Sequence, residues 1–595
     1  MTKYIISLLL FIITVNSFAQ GFSEQSGLSF VGINEDNMEW GDYDNDGYLD
    51  FVVCAPYPRT LLYHSDGDTS FTPQYNIHLF DVDHADADWG DYNNDGFLDL
   101  VISGRDNTNQ AGTKLYINNG NNTFTEQIDT NLAGAYSGST KWGDYNNDGY
   151  LDLLIVGYNA NGYIAKIYSN NGPSASNSYS FSEETSIHLK GAWKAAADWA
   201  DYDNDGDLDI IISGDSSYYS PMTKIYKNNN NNSFTEVDSI GIESGLYSAL
   251  SWGDYDNDGD LDIAIMGSSN TSYFTKIYKY EGNDNFVLQT DISLEAYSQG
   301  VVKWVDFDND GDLDLFVSGY FSAIYSHNAI LYKNNGNNSF IEQAGMPWVG
   351  YKVKSADWGD FDNDGDIGVL MTGDLNTSGI CSRLYKNNLY SNSTPSSANT
   401  PPTPPSDLTS TLVGDSVLFA WNRAYDSSTP DIALTYNIRI GNGFDSVNIK
   451  SPHSDLNTGF HQVSECGAIQ DTFYLFKIGA DTVLYWSVQA IDNGLLASNF
   501  SSTDSIALPI NFISNSTYEY QYTIFPNPTK GKINIQGANI NKINIYNSLG
   551  IKIYSKSTLK NNNLHSINLS NLAKGMYVIT INNDYGSYSK KLLIN

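Results

Sequence analysis

The segment Trp40-Gly41-Asp42-Tyr43-Asp44-Asn45-Asp46-Gly47-Tyr48-Leu49-Asp50 occurs seven times along this chain with small changes. Successive copies start 49 to 57 residues apart, which is the length of one four-stranded sheet. A regular period of this size predicts a propeller or a solenoid. The tryptophans that open the copies are Trp40, Trp89, Trp142, Trp199, Trp252, Trp304 and Trp358.

Every copy continues with the same succession of short segments. A β-rich run ending in glycine follows the acidic loop, and after a variable loop comes a strand of the type Lys166-Ile167-Tyr168. An Asn/Gly turn then leads to a Phe-centred strand such as residues 124–127, which is a hairpin signal. Together with the Trp segment this makes four strands per copy, as in a propeller blade. The sequence therefore predicts an all-β fold with a seven-bladed β-propeller over residues 20–390.

The two ends of the repeat array are complementary. The seventh copy has the strand Leu384-Tyr385-Lys386 but no Phe-centred strand after it. A matching segment, 22–25 (Phe-Ser-Glu-Gln), precedes the first tryptophan. We therefore expect residues near Phe22 to supply the outer strand of the last blade and close the ring. An open array with a frayed end would leave this complementarity unexplained.

The acidic segment spaces oxygen ligands at positions 1, 3, 5 and 9, with a backbone carbonyl at position 7 and a glycine at position 6 for the sharp turn. Hard oxygen ligands without His or Cys favour calcium. An EF-hand is excluded, because Val53 stands where a bidentate glutamate would be and a β run follows directly. Asp-rich turns without a metal are the alternative.

Copies one to six are complete, whereas copy seven has Gly368 at position 9, so we expect about six Ca²⁺ sites and a seventh that is weak or empty. The predicted ligands, with position 7 acting through its carbonyl, are Asp42, Asp44, Asp46, Tyr48 and Asp50; Asp91, Asn93, Asp95, Phe97 and Asp99; Asp144, Asn146, Asp148, Tyr150 and Asp152; Asp201, Asp203, Asp205, Asp207 and Asp209; Asp254, Asp256, Asp258, Asp260 and Asp262; Asp306, Asp308, Asp310, Asp312 and Asp314; and Asp360, Asp362 and Asp364.

Composition excludes several classes of partner. The formal net charge is −38, which argues against nucleic acid and anionic membranes. Residues 1–19 read as a secretory signal peptide, and no other segment has transmembrane length. The three cysteines, Cys54, Cys381 and Cys466, do not form a disulfide framework. A Cys54–Cys381 bridge between the first and last blades is conceivable, and buried thiols are the alternative.

These repeats resemble the FG-GAP (VCBS) family, which includes the integrin α-subunit propeller, over residues 21–390. The resemblance implies a seven-bladed propeller with calcium in the loop between the first and second strands of each blade. It also implies that these calcium sites are structural, on the face opposite the usual ligand surface.

The C-terminal third divides into a linker and two small β domains. Residues 391–404 form a Pro/Ser/Thr-rich linker. Residues 405–512 have alternating strands such as 416–421 and 483–490 and resemble a fibronectin type III β-sandwich, which we interpret as a spacer. Residues 520–595, with Phe525-Pro526-Asn527-Pro528 and 575–579 (Gly-Met-Tyr-Val-Ile), resemble the C-terminal sorting domain of the bacterial type IX secretion system. This implies export by that machinery to a secreted or surface-attached state, with removal of the sorting domain.

No catalytic motif stands out: the sequence has no His-Glu-x-x-His pair, Gly-x-Ser-x-Gly elbow or phosphate loop. The favoured function is adhesion or recognition of a glycan or protein at the cell surface. A calcium-dependent polysaccharide lyase or hydrolase and a purely structural surface-layer component are the alternatives. The face opposite the acidic loops would carry Tyr136, Tyr158, Tyr163, Trp193, Tyr218, Tyr219, Tyr247, Tyr273, Phe274, Tyr297, Tyr320, Phe321, Trp348 and Tyr351, of which Trp193 and Trp348 are the candidate anchors.

Overall fold

The protein is described by a computed structural model. It describes residues 21–594 apart from 26–29, 31–36, 57–58, 68, 129, 175–178, 230–232, 239, 270–271, 322–325, 337, 349–350, 376–378, 389–397, 479–482, 509–521, 528, 538–539, 548–551, 558–563 and 583–586. The predicted signal peptide and half of the predicted linker (391–397) lie outside this part. Within it, no helix has the length and apolar character needed to cross a membrane.

The repeats fold into antiparallel strands of three to nine residues. The strands are β1 (Phe22–Glu24), β2 (Met38–Gly41), β3 (Asp50–Val53), β4 (Leu61–Ser65), β5 (Phe71–Pro73), β6 (Asp83–Gly90), β7 (Asp99–Arg105), β8 (Ala111–Asn118), β9 (Phe124–Gln127), β10 (Tyr136–Gly143), β11 (Asp152–Asn159), β12 (Gly162–Asn170), β13 (Phe181–Glu183), β14 (Trp193–Ala200), β15 (Asp209–Asp215), β16 (Pro221–Asn228), β17 (Phe234–Glu236), β18 (Leu246–Gly253), β19 (Asp262–Ser268), β20 (Tyr273–Tyr280), β21 (Phe286–Leu288), β22 (Ser298–Val305), β23 (Asp314–Phe321), β24 (Ser326–Asn334), β25 (Phe340–Glu342), β26 (Tyr351–Gly359), β27 (Gly368–Leu375) and β28 (Gly379–Asn387).

In the described residues these strands form seven four-stranded sheets, one for each copy of the repeat. Six sheets use four consecutive strands, from β2-β3-β4-β5 to β22-β23-β24-β25. The last has the order β1-β28-β27-β26. Phe22 pairs with Asn387 and Glu24 with Tyr385, so the prediction that the N-terminal segment completes the last sheet is confirmed.

Neighbouring sheets pack through their inner strands, and β2 also contacts β26, which closes the circle. In copies two to five and in copy seven, the aromatic residue at loop position 2 stacks on the tryptophan of the next copy. Tyr92 and Trp142 have centroids 5.8 Å apart at 5°, and Phe361 and Trp40 lie 6.0 Å apart at 2°. These stacks explain why the repeat has both rings, and the all-β propeller-type fold is confirmed.

Two further units follow the repeats. The middle unit contains β29 (Ser406–Val413), β30 (Ser416–Asn422), β31 (Thr435–Gly441), β32 (Phe473–Lys477), β33 (Val483–Ile491) and β34 (Asp504–Ala507) in the sheets β29-β30-β32 and β31-β33-β34 around a shared core. The last unit contains β35 (Thr523–Phe525), β36 (Lys532–Gln536), β37 (Lys542–Asn547), β38 (Lys552–Ser557), β39 (Leu564–Asn568), β40 (Gly575–Asn582) and β41 (Ser587–Ile594) in the sheets β35-β36-β39 and β38-β37-β40-β41. The fibronectin type III and sandwich assignments remain predictions.

The middle unit does not stand apart from the propeller. Val463 forms a β-bridge with Gly90, and the amide of Asp360 donates to the carbonyl of Asn493 at 3.0 Å. A Cβ atom added to Gly206 would lie 2.3 Å from the carbonyl oxygen of Ile449. The sequence predicted a spacer, but the unit instead lies against the ends of the inner strands, where the acidic loops begin. The spacer interpretation is therefore wrong.

Candidate metal sites and ligand face

The seven acidic loops share one turn. The residue at position 4 is asparagine in every copy, with φ between 53° and 60°, and the glycine at position 6 has φ between 80° and 97°. Glycine and asparagine are the residues that tolerate this left-handed region best. The glycine was predicted from the sequence to make the sharp turn, whereas the asparagine was not singled out although it recurs in all seven copies.

The aspartate at position 1 holds this turn together. In copy two, Asp91 accepts hydrogen bonds from the amides of Asp95 at 3.0 Å and Gly96 at 2.9 Å. The equivalent bonds occur in all seven loops, at 2.5–3.1 Å. Position 1 therefore shapes the loop whether or not an ion is bound.

The aspartate at position 9 presents a bare oxygen to the loop. One oxygen accepts a backbone amide from the third strand, as in Asn118 to Asp99 at 2.8 Å. The other oxygen is buried and has no partner in Asp99, Asp152, Asp209 and Asp262. Burial, together with neighbouring carboxylates, raises the pKa of these four groups well above the usual range. A buried carboxylate oxygen without a donor is costly unless a cation or proton satisfies it.

Position 3 adds further unpartnered oxygens. Oδ1 of Asp44, Asp203, Asp256 and Asp308 is buried without a hydrogen-bond partner. In copies four to six, carboxylate oxygens from positions 1, 3 and 9 lie within 4.8 Å of one another. Oxygen-only donor sets of this kind, with no sulfur or nitrogen, fit calcium. Copy one is a variant in which His64 Nδ1 lies 3.2 Å from Asp50 Oδ1.

The structure brings the predicted carboxylates together in the loops, and their calcium-ligand roles remain proposals. At position 7 the amides of Tyr48, Phe97 and Tyr150 donate to the position 5 aspartate of their own loop at 3.0–3.1 Å. The same bond is made by Asp207, Asp260 and Asp312.

Copy seven differs at position 9 in more than its side chain. Gly368 pairs with Gly359 in the sheet, and a Cβ atom there would lie 2.5 Å from the Phe361 ring and 2.9 Å from the Tyr385 carbonyl oxygen. An aspartate at this position would not fit without rearrangement. The loop therefore keeps Asp360, Asp362 and Asp364 but has no room for the fourth carboxylate.

We expect the calcium response of the protein to depend more on Asp254 than on Asp360. Both side chains accept the same two backbone amides, so Asp254→Ala and Asp360→Ala are matched in the turn they remove. Only Asp254 belongs to a loop with position 9 intact. The gain in melting temperature on adding calcium should shrink in Asp254→Ala and stay near the wild-type value in Asp360→Ala. If both variants lost the same part of the calcium-induced gain in melting temperature, the prediction that the seventh site is incomplete would be contradicted.

The loops are joined to one another in a circle. The position 4 asparagine of each loop donates from Nδ2 to the carbonyl of the position 6 glycine in the next loop, at 2.7–3.3 Å. Asn363 of the last loop donates to Gly47 of the first at 2.8 Å. All seven loops, which are described throughout, take part in this asparagine circle.

The middle unit places polar groups directly on these loops. Lys450 Nζ lies 2.6 Å from Asp201 Oδ2, and the Tyr474 hydroxyl donates to the same oxygen at 2.8 Å. His453 Nε2 accepts the amide of Asp144 at 3.3 Å. Burial lowers the pKa of His453 to about 4, which keeps this ring neutral and able to accept. The middle unit therefore covers the loop face at copies three and four.

A cavity of about 380 Å³ lies between the ring and the middle unit. Part of its charged lining comes from the residue that precedes the tryptophan in several copies, namely Glu39, Asp198, Lys303 and Asp357. Lys141 stands at the same position in copy three. Lys141 Nζ lies 3.2 Å from Asp88 Oδ1 and 3.8 Å from Glu39 Oε1. Several of these carboxylates also join neighbouring sheets; for example, Asp88 accepts the amide of Trp142 at 2.7 Å. The residue before the tryptophan was not predicted from the sequence to have a role.

The opposite ends of the inner strands carry half-buried aromatic side chains. Trp193 begins β14 and Ala200 ends it, and at about 3.3 Å per residue the two lie roughly 23 Å apart. Tyr158 has its ring 5.8 Å from those of both Tyr136 and Trp193, which gives a run of three half-buried rings across copies three and four. Lys194 Nζ lies 4.1 Å from the Trp193 ring centroid. We call Tyr136, Tyr158, Trp193 and Lys194 the aromatic strip.

The structure describes most of the other residues predicted for this face. Tyr163 lies 5.2 Å from Tyr158, and Lys194 also lies over the ring of Tyr247 at 3.9 Å. Tyr218 and Tyr219 are 83% and 62% exposed, and Tyr273 and Tyr320 form a ring contact at 5.7 Å. The side chains of Phe321 and Tyr351 lie outside the described residues, as does that of Cys381, so the Cys54–Cys381 bridge remains a prediction.

Trp348 is not a surface anchor. It is 1% exposed and packs against Phe22 at 5.0 Å, Tyr385 at 5.4 Å and Phe316 at 6.1 Å. The prediction was wrong because the ring of Phe22, brought in by the closing strand β1, covers it. Phe274 and Tyr297 are also buried, at 3% and 2% exposure, because they belong to the hydrophobic cores of the sheets. They are therefore not part of the ligand face.

Comparison with known proteins adds two family matches. Residues 42–102, 91–155, 144–212 and 211–265 match the model of the FG-GAP-like repeat, and residues 523–595 match that of the secretion system C-terminal sorting domain. No curated protein matches the chain.

Several solved structures are similar at low identity. BBS1N in complex with ARL6DN is 10% identical, covering 62% of this chain and 97% of that one, with a TM-score of 0.36. The extracellular domain of a one-component system from B. thetaiotaomicron is 11% identical, covering 97% and 58%, with a TM-score of 0.36. The Aleuria aurantia lectin in complex with alpha-methyl-L-fucoside is 9% identical, covering 50% and 93%, with a TM-score of 0.31. Likeness at these scores carries no inference about ligand or activity.

Proposed function

Since this chain carries FG-GAP-like repeats and a type IX secretion sorting domain, which indicates secretion and attachment at the cell surface, we propose that it is a non-catalytic, calcium-stabilised recognition protein that binds a glycan. The observation that supports a glycan ligand is the aromatic strip. Its three rings lie in contact and half-buried on one face, so they offer apolar area with polar edges at low entropy cost.

Calcium has a structural role in this proposal. At positions 3 and 9, several buried carboxylate oxygens have no hydrogen-bond partner, which supports calcium as the ion that binds and neutralises them. Trp193 lies roughly 23 Å along its strand from the loop that begins at Asp201. Calcium therefore supports ligand binding by holding the sheets in place and does not contact the glycan.

The docked middle unit favours recognition over the rival enzyme. A calcium-dependent polysaccharide-degrading enzyme would need its substrate beside an ion and a base. In copy four the position 1 aspartate is already contacted by Lys450 and Tyr474 of the middle unit. A polysaccharide reaching that loop would first have to displace the middle unit, whereas the aromatic strip lies at the other end of the strands.

We expect Trp193→Ala to weaken glycan binding by roughly 10- to 100-fold, the loss that corresponds to uncovering one large aromatic side chain. The full chain would be screened on a polysaccharide array in calcium, and the affinity for a hit would then be measured by calorimetry. Trp348→Phe is the matched control, because this buried ring should change the melting temperature and leave the affinity unchanged.

Three outcomes would contradict the proposal in different ways. Unchanged affinity in Trp193→Ala would move the ligand site away from the aromatic strip. Shortened polysaccharide products would establish the enzyme. A folded protein that binds no glycan on the array would direct attention to a protein ligand or to a structural surface-layer role.

A further inference from the structure

One residue of the third strand in each copy faces the acidic loop. It directly follows the tyrosine of that strand and, in chain order, is His64, Ile117, Ser169, Lys227, Lys279, Lys333 and Lys386. Each of the four lysines forms ion pairs with positions 3 and 5 of its own loop: Lys227 with Asp203 and Asp205, Lys279 with Asp256 and Asp258, Lys333 with Asp308 and Asp310, and Lys386 with Asp362 and Asp364. We call this residue the third-strand partner.

The identity of the third-strand partner follows that of position 3 in all seven copies. Where position 3 is aspartate, the partner is lysine or, in copy one, histidine. Where position 3 is asparagine, as in Asn93 and Asn146, the partner is the uncharged Ile117 or Ser169. This match holds within a single chain between positions 20 to 25 residues apart, so it reflects the contact between them.

The consequence is a constant charge from the loop and its third-strand partner in copies two to six. Counting only these residues, copies two and three have three carboxylates at positions 1, 3, 5 and 9 and no lysine, whereas copies four to six have four carboxylates and one lysine. In copy four, Lys450 of the middle unit adds a further positive charge at Asp201. Both combinations leave three negative charges. The additional carboxylates at position 7 are turned away, as in Asp207 and Asp312, which accept hydrogen bonds from the neighbouring loop's Asn147 and Asn257.

The lysine also gives the two carboxylate oxygens of the position 3 aspartate different surroundings. In Asp203, Asp256 and Asp308, Oδ2 bonds the lysine while Oδ1 remains buried without a partner. The side chains of Asp203 and Asp256 are only 4% and 8% exposed. Copy three repeats this division without charge, because Asn146 Nδ2 donates to Ser169 Oγ at 3.4 Å.

We propose that the third-strand partner sets the net charge of each complete calcium site and turns one oxygen of position 3 toward the ion. This inference rests on the calcium binding proposed above. An extra negative charge would strengthen calcium binding but destabilise the metal-free loop, since like charges repel at close range. The lysine therefore stabilises the empty loop and limits its affinity for calcium.

Copy six allows the clearest test, because Lys333 is partly exposed and no lysine of the other units contacts its loop among the described ion pairs. The variants are Lys333→Met, Asp308→Asn and the double variant, all in the full chain. Lys166→Met is the control, since Lys166 is paired with Glu183 at 2.6 Å on the third strand of copy three, away from the loops. Hydrogen exchange of residues 306–314 against free calcium reports this site alone, and melting temperature in chelator reports the empty loop.

Lys333→Met should shift the midpoint of calcium protection to about tenfold lower calcium, and Asp308→Asn should shift it about as far the other way. Lys333→Met should melt below wild type in chelator, because it leaves the loop carboxylates without their lysine. Asp308→Asn should not, because it removes one carboxylate while Lys333 keeps its pair with Asp310. The double variant should return near wild type in both measurements, and Lys166→Met should leave the midpoint unchanged.

The proposal would be overturned if Lys333→Met left the midpoint unchanged or raised it. It would also be overturned if the double variant lost as much melting temperature in chelator as Lys333→Met alone. Absence of calcium protection in every loop of the wild-type protein would instead refute calcium binding itself, and with it any role in tuning affinity.

Discussion

Removing calcium should lower the melting temperature of the protein by about 10 °C or more. Extracellular calcium modules bind with dissociation constants of roughly 10⁻⁴–10⁻³ M. At about 2 mM free calcium, each site that exists only in the folded state then adds about 0.7–1.8 kcal/mol to the free energy of unfolding. Six such sites add roughly 4–11 kcal/mol, and large domains shift by about 2–4 °C per kcal/mol.

Differential scanning calorimetry of the full chain in calcium and in chelator measures this effect. Magnesium at the same concentration is the control, because it demands a smaller octahedral site and keeps its water more strongly. Melting temperatures that agree within error in calcium and in chelator would show that the acidic loops fold without an ion.

The change in the stability of the protein with pH should have the opposite sign when calcium is removed. Burial raises the pKa of Asp42, Asp91 and Asp306 to about 7 and that of Asp314 to about 9. Without calcium these groups bind protons in the folded state between about pH 4 and pH 7 but not in the unfolded chain, where the pKa of aspartate is about 4. Stability in chelator is therefore highest at low pH and is lost as pH rises through the folded pKa values.

With calcium present the same carboxylates must be deprotonated to bind the ion, so stability should instead increase between about pH 5 and pH 8. Melting temperatures at pH 5.5 and 8 in the two conditions, on either side of the pKa values near 7, measure both slopes. We expect opposite signs, with a difference of at least about 5 °C in chelator. Slopes of the same sign in both conditions would contradict the assignment of these buried carboxylates to the ion.

The fold could be predicted from the sequence because its decisive contacts repeat. The Trp segment and the four-strand pattern recur at one period, so the sheets and the pairing of Phe22 with the last copy were both predictable. The feature of the fold that was not predicted is the contact between the middle unit and the propeller, because these two units share no repeated sequence pattern. The docking of the middle unit depends on single groups such as Lys450 and Asn493 that happen to match loop atoms.

The residue types of the candidate site were predicted from the sequence, but the contacts of the acidic loops with the third strand and with neighbouring loops were not. Positions 1 to 9 could be assigned within one copy, because all lie within one short loop. Trp348 was placed on the surface because its cover, Phe22, is more than 300 residues away in sequence. The third-strand partner and the asparagine circle were overlooked because each acts across a hairpin or across two copies.

The asparagine circle bears on how the propeller comes apart. In a linear repeat array the two terminal units have only one neighbour each, so unfolding starts there and spreads inward. Here every loop has a neighbour on both sides, and Asn363 and Gly47 join what would otherwise be the ends. The seven copies should therefore melt as one cooperative unit. Removing any one asparagine would break this circle of loop contacts while the packing of the sheets still closes the ring, and would leave a place for fraying to begin.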